Sequence, residues 1–291
     1  MSVSVLAGVF SGANQTGTAR FYGVGNAERY RRARKTDLSS AGLVSAISSA
    51  TAYSSSTART TLLLFGLPGF PSFVTLPDFN GKFLQITNAK SGSELDANLS
   101  SHLFDNTTTS LLLVATSRKN ETRVSFRDIF LAKWKTIIDG KLAGGAKRDG
   151  DPVLTWEMFP QGVSYLDSNR MYLKIHQKLD IEIDWWPDYE ASITYHIFLY
   201  LDGLKHLKGY VARWAYWIEG GAKADDIEDK LRPAVISGMD TLNAELGKQL
   251  NLLSSFAFSD LYYLPGRQLS LPGTGVLTGW TWEDVTIVLQ S

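Results

Sequence analysis

The stretch Tyr172-Leu-Lys-Ile-His-Gln-Lys-Leu-Asp-Ile-Glu-Ile-Asp184 alternates between apolar and polar side chains. The apolar side chains share one parity: Leu173, Ile175, Leu179, Ile181 and Ile183. The charged side chains and His176 take the other parity: Lys174, His176, Lys178, Asp180, Glu182 and Asp184. Only a repeat of two residues separates these sets, so the stretch predicts a long β-strand with one buried face and one solvated face.

Two more strands are expected directly after this one. Trp185-Trp186-Pro187-Asp188 reads as a turn, and Ala191–Leu201 again places apolar residues at every second position. Asp202-Gly203 supplies the next turn, and Gly209–Ile218 forms a third strand rich in aromatic residues. Short connections between long strands predict an antiparallel meander over residues 172–218.

Two helices are predicted around this meander. Residues 125–139 have apolar side chains at three- and four-residue spacing, with Ser125 as the cap and Gly140 as the stop. Residues 225–253 repeat this spacing after a capping box formed by Asp225 and Glu228. Pro233 is expected to kink or interrupt the second helix. The second helix should lie across the apolar face of the sheet, and the layers between them could be fully packed or enclose a channel for an apolar ligand.

Residues 1–118 contain short apolar and β-branched runs separated by Gly, Pro, Asn and Ser. This pattern predicts an all-β sandwich or barrel. The predicted fold class is therefore α+β: an N-terminal all-β domain over 1–118, then an α+β domain over 119–291. The N-terminal strands are predicted at Val3–Phe10, Ala19–Val24, Leu43–Tyr53, Thr60–Leu67, Phe83–Thr87 and Ser110–Thr116.

Two motifs stand out in the N-terminal part: Thr60-Thr-Leu-Leu-Leu-Phe-Gly-Leu-Pro-Gly-Phe70-Pro-Ser, and the later Asp105-Asn-Thr-Thr-Thr-Ser110 that enters an apolar strand. On these motifs the N-terminal part resembles a βγ-crystallin Greek key, and the resemblance implies a Greek-key sandwich for residues 1–118. Two positions depart from the family pattern. Ser72 replaces the turn glycine, and Val44-Ser45 replace the acidic or amide pair of the first copy.

Because members of this family often bind calcium through the closing motif, the resemblance implies a calcium site. Its expected ligands are Asp105, Asn106 and Ser110, which offer the oxygen donors that calcium prefers. The alternative interpretation is a polar turn that leads into a buried strand. We treat calcium as a candidate cofactor on these residues.

A basic cluster lies at Arg29-Tyr-Arg-Arg-Ala-Arg-Lys35. Such a cluster can contact phosphates or lipid headgroups, but it also suits a solvated loop or a protected edge strand. The residues expected to make the anion or membrane contact are Arg29, Arg31, Arg32, Arg34 and Lys35. The residues expected to bind an apolar ligand are the tryptophans of the meander: Trp185, Trp186, Trp214 and Trp217.

The composition limits the function. The 291 residues include 29 Lys+Arg and 29 Asp+Glu, so no excess of positive charge indicates a nucleic-acid partner. There is no cysteine, which excludes disulfides, thiolate zinc sites and cysteine nucleophiles. We find no recognisable signal peptide and no apolar run long enough to span a membrane. We expect a cytoplasmic protein, or one exported without such a signal, rather than an integral membrane protein.

These observations favour a non-enzymatic binding protein that engages lipid, a membrane surface or another apolar ligand, with a homo-oligomer as one option. A pore-forming or insecticidal-type toxin is the first alternative, because Leu38–Thr61 is rich in Ser and Thr like membrane-inserting hairpins. A glycan hydrolase is the second, because acidic residues recur on one strand face. Those residues are Asp180, Glu182, Asp184, Asp188 and Glu190, for which an ordinary solvated strand face is the favoured explanation.

Overall fold

In the part of the chain that the structure describes, antiparallel β-sheets predominate and two α-helices lie in the C-terminal half. The computed structural model describes residues 5–23, 33–56, 58–66, 83–88, 90–117, 121–142, 145–158, 171–182, 188–265, 275–279 and 284–290. The predicted combination of antiparallel β-sheets with a few helices, which makes the chain α+β or β-rich, is confirmed.

Eight strands of the N-terminal part form most of two sheets. The strands are β1 (Val5–Phe10), β2 (Ala19–Gly23), β3 (Ala33–Asp37), β4 (Ser49–Ser54), β5 (Ala58–Phe65), β6 (Phe83–Asn88), β7 (Ser93–Asn98) and β8 (Ser110–Ser117). The first sheet has the order β2-β1-β4-β7, and the second contains β6-β5-β8-β3. Short 3-10 helices at Leu38–Ala41 and Leu99–His102 follow β3 and β7. Apolar side chains from both sheets form one buried core between them.

The second sheet is buried on both faces. Leu62 and Leu64 of β5 belong to the core between the sheets, whereas Leu63 and Phe65 belong to the core of the C-terminal half. The neighbouring strand β8 alternates in the same way. This double burial explains why both strands are continuous apolar runs rather than alternating ones.

The C-terminal half is built around the predicted meander, which gains a fourth strand. Helix α1 spans Phe126–Asp139, and the sheet order is β10 (Ala146–Met158), β11 (Met171–Ile181), β12 (Tyr189–Leu201) and β13 (Leu207–Ile218). All neighbouring pairs in this sheet are antiparallel. The pairing of β10 with β11 has an irregularity between Asp149 and Val153.

Helix α2 spans Ala224–Asn251 and covers the inner face of the meander, as predicted. Its buried face consists of Ile227, Leu231, Val235, Gly238, Leu242, Leu246 and Leu250. Asn243 also accepts a hydrogen bond from the backbone N–H of Val211 (2.7 Å), which satisfies a donor on the edge strand β13. Pro233 lies inside the helix without interrupting it.

The prediction that Asp225 and Glu228 form a capping box at the start of α2 is wrong. Lys223 occupies the N-cap position, and no side chain there accepts a capping hydrogen bond. Glu228 instead accepts a hydrogen bond from the Tyr216 hydroxyl of β13. The tertiary contact therefore takes the carboxylate that the local motif would have used.

The last three strands pair with strands from both parts of the chain. Strand β14 (Asp260–Pro265) and β16 (Val285–Gln290) form a three-stranded sheet with β9 (Glu121–Ser125), in the order β14-β16-β9. Strand β15 (Gly275–Gly279) pairs with β6 and so extends the second N-terminal sheet to five strands. Residues 1–118 therefore share a sheet with the C-terminal segment, and the proposed boundary near residue 118 stays a prediction.

Several N-terminal boundaries differ from expectation. The segment predicted as a strand from Leu43 begins as a turn, and its strand β4 starts at Ser49. Strands β3, β7, β9, β14 and β15 were not predicted from the sequence. They are short or polar, and they form because long-range pairing satisfies their backbone groups rather than because of local apolar periodicity.

Candidate functional site

The strongest candidate site is the end of the C-terminal half where the turn between β12 and β13 meets the segment after α2. The backbone N–H of Phe258 donates to the carbonyl of Lys205 (2.9 Å), which joins the two segments. The Phe258 side chain is buried in the main core and anchors this contact. Segments distant in sequence therefore form one surface.

The turn itself is held by the side chain of Asp202. Its Oδ1 accepts hydrogen bonds from the backbone N–H groups of Leu204 and His206, each 2.9 Å long. Backbone bonds between Asp202 and both Lys205 and His206 close the same turn. The hydrogen bond from His206 is the main reason that the pKa of Asp202 lies below its ordinary value. The turn therefore presents Leu204 from a hydrogen-bonded frame.

Three large apolar side chains project into solvent at this end, and we call them the apolar tip: Leu204, Leu252 and Phe256. Leu204 and Leu252 each expose 73% of their surface, and Phe256 exposes 56%. Single exposed apolar residues are common on proteins, whereas several of them on adjoining segments make this end a candidate interaction surface.

Lysines surround the apolar tip. Lys205 lies in the turn, Lys208 lies at the start of β13, and Lys248 lies in the last turn of α2. The nearby carboxylates are already engaged: Asp202 by the turn, and Glu245 by the amide of Gln249 (2.7 Å). Lys248 also forms an ion pair with Glu245, whose carboxylate lies 3.8 Å from its ammonium group.

An aromatic cluster lies behind the tip on the outer face of the meander. It consists of Tyr172, Phe198, Tyr200 and Tyr210, whose neighbouring ring centroids are 5.5–6.2 Å apart. Tyr172 and Phe198 are buried, whereas Tyr200 and Tyr210 remain partly exposed. The prediction that this whole face is solvated is wrong at the Tyr172 end, because aromatic side chains pack against one another there.

The four tryptophans proposed as ligand contacts are not all placed. Trp185 and Trp186 lie outside the described residues. Trp214 is half-buried, packs against the main core and stacks on Tyr216, with centroids 6.1 Å apart. Trp217 is exposed on the other face of β13. Trp214 and Trp217 therefore face opposite sides of the sheet, and their ligand role stays a prediction.

The basic cluster is only partly placed. Arg29, Arg31 and Arg32 lie outside the described residues. Arg34 and Lys35 lie in β3, where their backbones pair with Leu113 and Leu112 of β8. Because β3 is an edge strand, this placement agrees with the edge-strand interpretation of these residues.

The proposed calcium ligands differ in accessibility. Asp105 and Asn106 lie in an exposed turn, where the Asn106 amide donates to the Asp105 carboxylate (3.3 Å). Ser110 is fully buried at the start of β8. Two of the three side chains thus fit an accessible oxygen site, and Ser110 does not fit a site open to solvent.

Calcium binding at this turn is tested by thermal unfolding. If Asp105 and Asn106 hold the ion, calcium in large excess over its dissociation constant should raise the melting temperature by several degrees, because a ligand that binds only the folded state stabilises it. The Asp105→Asn variant should lose most of this shift. Equal melting curves with calcium and with a chelator would remove the calcium assignment.

The acidic residues of the meander that the structure describes are not grouped as metal ligands. Among the described residues, no group of three or more His, Cys, Asp or Glu is placed to hold a metal ion. Glu182 pairs with Lys147, while Asp180 lies opposite Glu190 in the β11–β12 register. Asp184 lies outside the described residues.

Comparisons of the chain with protein-family models, with curated proteins and with solved structures found no match in any of the three. The assignment of function therefore depends on the geometry alone. Within the described ranges, none of the helices combines the length and the apolarity needed to cross a bilayer.

Proposed function

We propose that this chain is a non-enzymatic protein that docks on lipid surfaces through its apolar tip. The supporting observation is that Leu204, Leu252 and Phe256 are all strongly exposed and belong to two segments that a backbone hydrogen bond joins at one end of the C-terminal half. The turn that carries Leu204 is hydrogen-bonded, so little conformational order has to be gained on docking.

The energy available from the tip suits reversible docking. Moving a leucine or phenylalanine side chain from water to an apolar environment contributes about 1.5–3 kcal/mol. The three side chains together could contribute several kcal/mol, which is comparable with a single lipid anchor that binds membranes marginally and reversibly.

The inner face of the meander gives less support for an enclosed ligand. Side chains of β11, β12 and α2 belong to one continuous buried cluster, in which Tyr195 donates to the carbonyl of Val235 (2.6 Å). A Cβ atom added at Gly238 would lie 2.7 Å from the Tyr195 hydroxyl oxygen, so helix and sheet approach closely here. This packing favours an external surface over an internal channel as the place where lipid binds.

Replacing Leu204 by serine should weaken binding to lipid vesicles at least tenfold, because the transfer energy of one leucine is lost. The melting temperature should change little, since the side chain is exposed. Vesicle co-sedimentation over a range of lipid concentrations measures the affinity.

The matched control is Leu103→Ser. Leu103 exposes 76% of its surface but lies after the 3-10 helix Leu99–His102 of the N-terminal part. This variant should bind vesicles like the wild type. Equal affinities for wild type, Leu204→Ser and Leu103→Ser would contradict docking through the tip.

The two alternative functions give different results with the same preparation. A pore-forming toxin would release dye from loaded vesicles, whereas surface docking leaves the dye inside. A glycan hydrolase that uses Asp180 and Glu182 would cleave glycans and lose that activity in the Asp180→Asn, Glu182→Gln double variant.

We further propose that residues 1–118 have the βγ-crystallin-like Greek-key arrangement. The strand orders β2-β1-β4-β7 and β6-β5-β8-β3 support it. Each sheet contains three strands from one half of residues 1–118 and one strand from the other half. The loop that follows β3 and the loop that follows β7 also repeat the same backbone hydrogen bonds. Leu43 and Phe104 donate to the carbonyls of Leu38 and Leu99, and Ser45 and Asn106 donate across to Thr108 and Ile47.

A further inference from the structure

Two tyrosines lie directly behind the apolar tip on the outer face of the β12–β13 hairpin. Tyr200 is two residues before Asp202, whose side chain holds the turn, and Tyr210 pairs with Phe198 in the next row of this face. Tyr200 exposes 38% of its surface and Tyr210 exposes 46%. Two phenol side chains are therefore accessible on the hairpin that carries Leu204.

Packing between aromatic rings holds both tyrosines in place. The ring of Phe198 stacks on Tyr200, with centroids 5.6 Å apart, and lies edge-to-face against Tyr210 at 5.9 Å. The rings of Tyr200 and Tyr210 are 6.2 Å apart, also edge-to-face. Because the buried Phe198 supports both exposed rings, little side-chain freedom is lost when they contact another surface.

The distance of these rings from the turn matches the depth of a membrane interface. Two residues of a β-strand advance about 6.5–7 Å, so Tyr200 lies roughly that far behind Asp202, and Tyr210 lies about twice as far. Apolar side chains of peripheral proteins enter the boundary between headgroups and acyl chains by about 5–10 Å. When Leu204 is inserted, Tyr200 comes to the level of the headgroups and Tyr210 to their outer side. An aromatic ring with a polar hydroxyl is favoured in this layer.

The charged groups near the tip are largely paired with one another. The ammonium group of Lys248 lies 3.8 Å from the carboxylate of Glu245, and the carboxylate of Asp202 interacts electrostatically with Lys208. Lys205 adds one positive charge in the turn. Segments that recognise anionic lipids carry about four to eight basic residues, which is more than this end of the hairpin provides.

The outer face behind the tip also includes an acidic position. Glu157 of β10 occupies the same cross-strand row as Tyr172, Phe198 and Tyr210. Basic and acidic positions therefore both border the tyrosines. Electrostatic complementarity then favours a lipid surface without net charge over an anionic one.

We infer that Tyr200 and Tyr210 are interfacial contacts for a zwitterionic phospholipid surface and set the depth to which the apolar tip is inserted. This inference rests on the proposed docking through the tip. The two rings add aromatic contact area at the level of the headgroups, and the net charge of the lipid has little influence on binding.

The first experiment compares vesicles of phosphatidylcholine with vesicles that also contain phosphatidylserine. The wild type should bind both kinds, and its affinities should differ by less than about fivefold, which is the effect of one lysine near an anionic surface. A gain of more than about tenfold with phosphatidylserine, lost when the salt concentration is raised severalfold, would contradict the zwitterionic surface.

The second experiment measures binding of tyrosine variants to phosphatidylcholine vesicles. Tyr200→Ser should weaken binding about fivefold to tenfold, and Tyr210→Ser about twofold to fivefold, because ring area that contacts the lipid is lost. Tyr200→Trp should keep most of the affinity, since tryptophan shares the interfacial preference of tyrosine. A merely structural role for Tyr200 predicts instead that the serine and tryptophan variants lose both affinity and melting temperature.

The matched control is Phe21→Ser. Phe21 exposes 53% of its surface in β2 and also belongs to an edge-to-face pair, with the ring centroid of Phe10 5.8 Å away. This variant should bind like the wild type. If Tyr200→Ser and Tyr210→Ser also bind like the wild type, the interfacial role of the tyrosines is refuted while docking stands. If the wild type binds neither kind of vesicle, docking itself fails and this inference fails with it.

Discussion

Replacing Trp134 by alanine is expected to lower the free energy of unfolding by about 3–5 kcal/mol, the largest stability effect that we predict. Trp134 lies in α1 with 1% of its surface exposed. Its indole N–H donates to the side-chain oxygen of Gln177 in β11 (2.9 Å), and its ring packs edge-to-face on Tyr195 of β12 (5.7 Å). The substitution would leave both a cavity and an unpaired buried acceptor.

The reason for the size of this effect is that Trp134 joins three elements. The side-chain amide of Gln177 donates hydrogen bonds to the backbone carbonyls of Asp149, Gly150 and Lys178. The same side chain therefore also holds the irregular part of β10 in place. Tyr195 in turn donates to the carbonyl of Val235 in α2. Losing the indole therefore loosens α1, the sheet and α2 together.

Denaturant unfolding followed by far-ultraviolet circular dichroism measures this effect without depending on tryptophan fluorescence. The control is Trp134→Phe, which keeps a ring but removes the N–H, and we expect it to cost about 1–3 kcal/mol. A loss below 1 kcal/mol for Trp134→Ala would mean that α1 is not seated on the meander as described.

Replacing Asp284 by alanine is the second large effect, with an expected loss of about 2–4 kcal/mol. Asp284 is almost fully buried and accepts hydrogen bonds from the Ser125 hydroxyl (2.6 Å) and from the backbone N–H groups of Arg127 and Val285 (2.7 Å each). Ser125 also caps α1 by accepting from the N–H of Asp128. The alanine variant leaves these donors at the helix N-terminus without their acceptor.

The control for this site is Asp284→Asn. Its oxygen can accept from Arg127 and Val285, and its amide can donate to Ser125, so the loss of stability should be below that of alanine. Chemical denaturation of both variants against the wild type gives the comparison. An alanine variant as stable as the asparagine variant would show that these hydrogen bonds contribute little.

The pH dependence at Asp284 follows from its burial. Burial raises the pKa of Asp284 above its ordinary 3.8, although its hydrogen bonds offset part of the rise. Because the folded state holds the proton more tightly, this group favours folding most below its unfolded pKa. Its contribution then declines as the pH rises through the folded pKa. The stability of the wild type relative to Asp284→Asn should therefore fall as the pH rises across this window. If the stabilities of the two proteins change with pH in the same way, the raised pKa of the buried Asp284 carboxyl is contradicted.

The elements with strong periodicity were predictable from the sequence. Leu173, Ile175, Leu179 and Ile181 are buried on one face of β11, and α2 buries its three- and four-residue repeat. Ser125 caps α1, and Gly140 ends it. These features follow from local patterns that burial on one side imposes on strands and helices.

Contacts between distant residues were not predictable in this way. Gln177 interrupts the apolar parity of β11 because the indole of Trp134 needs a buried acceptor, and that partner lies in another element. Strand β15 has no apolar periodicity that marks it, yet its backbone pairs with β6. A single sequence contains no local signal for either contact.

The candidate site was missed for the same reason. The sequence indicated the turn at Asp202-Gly203 but not that its Leu204 meets the segment after α2. The hydrogen bond between Phe258 and Lys205, which places the segment after α2 against this turn, joins residues more than 50 positions apart in the sequence. The local signal for this site was a leucine in a predicted turn, a position that is usually exposed.

The most direct measurement of tip docking uses the absence of cysteine from the chain. A single cysteine at Leu204, labelled with an environment-sensitive fluorophore, reports whether this position enters lipid. We predict a blue shift on addition of vesicles and quenching by nitroxide-labelled lipids, with neither change for the same label at Leu103. A label at Leu204 that stays in water while the protein is bound to vesicles would contradict docking through the apolar tip.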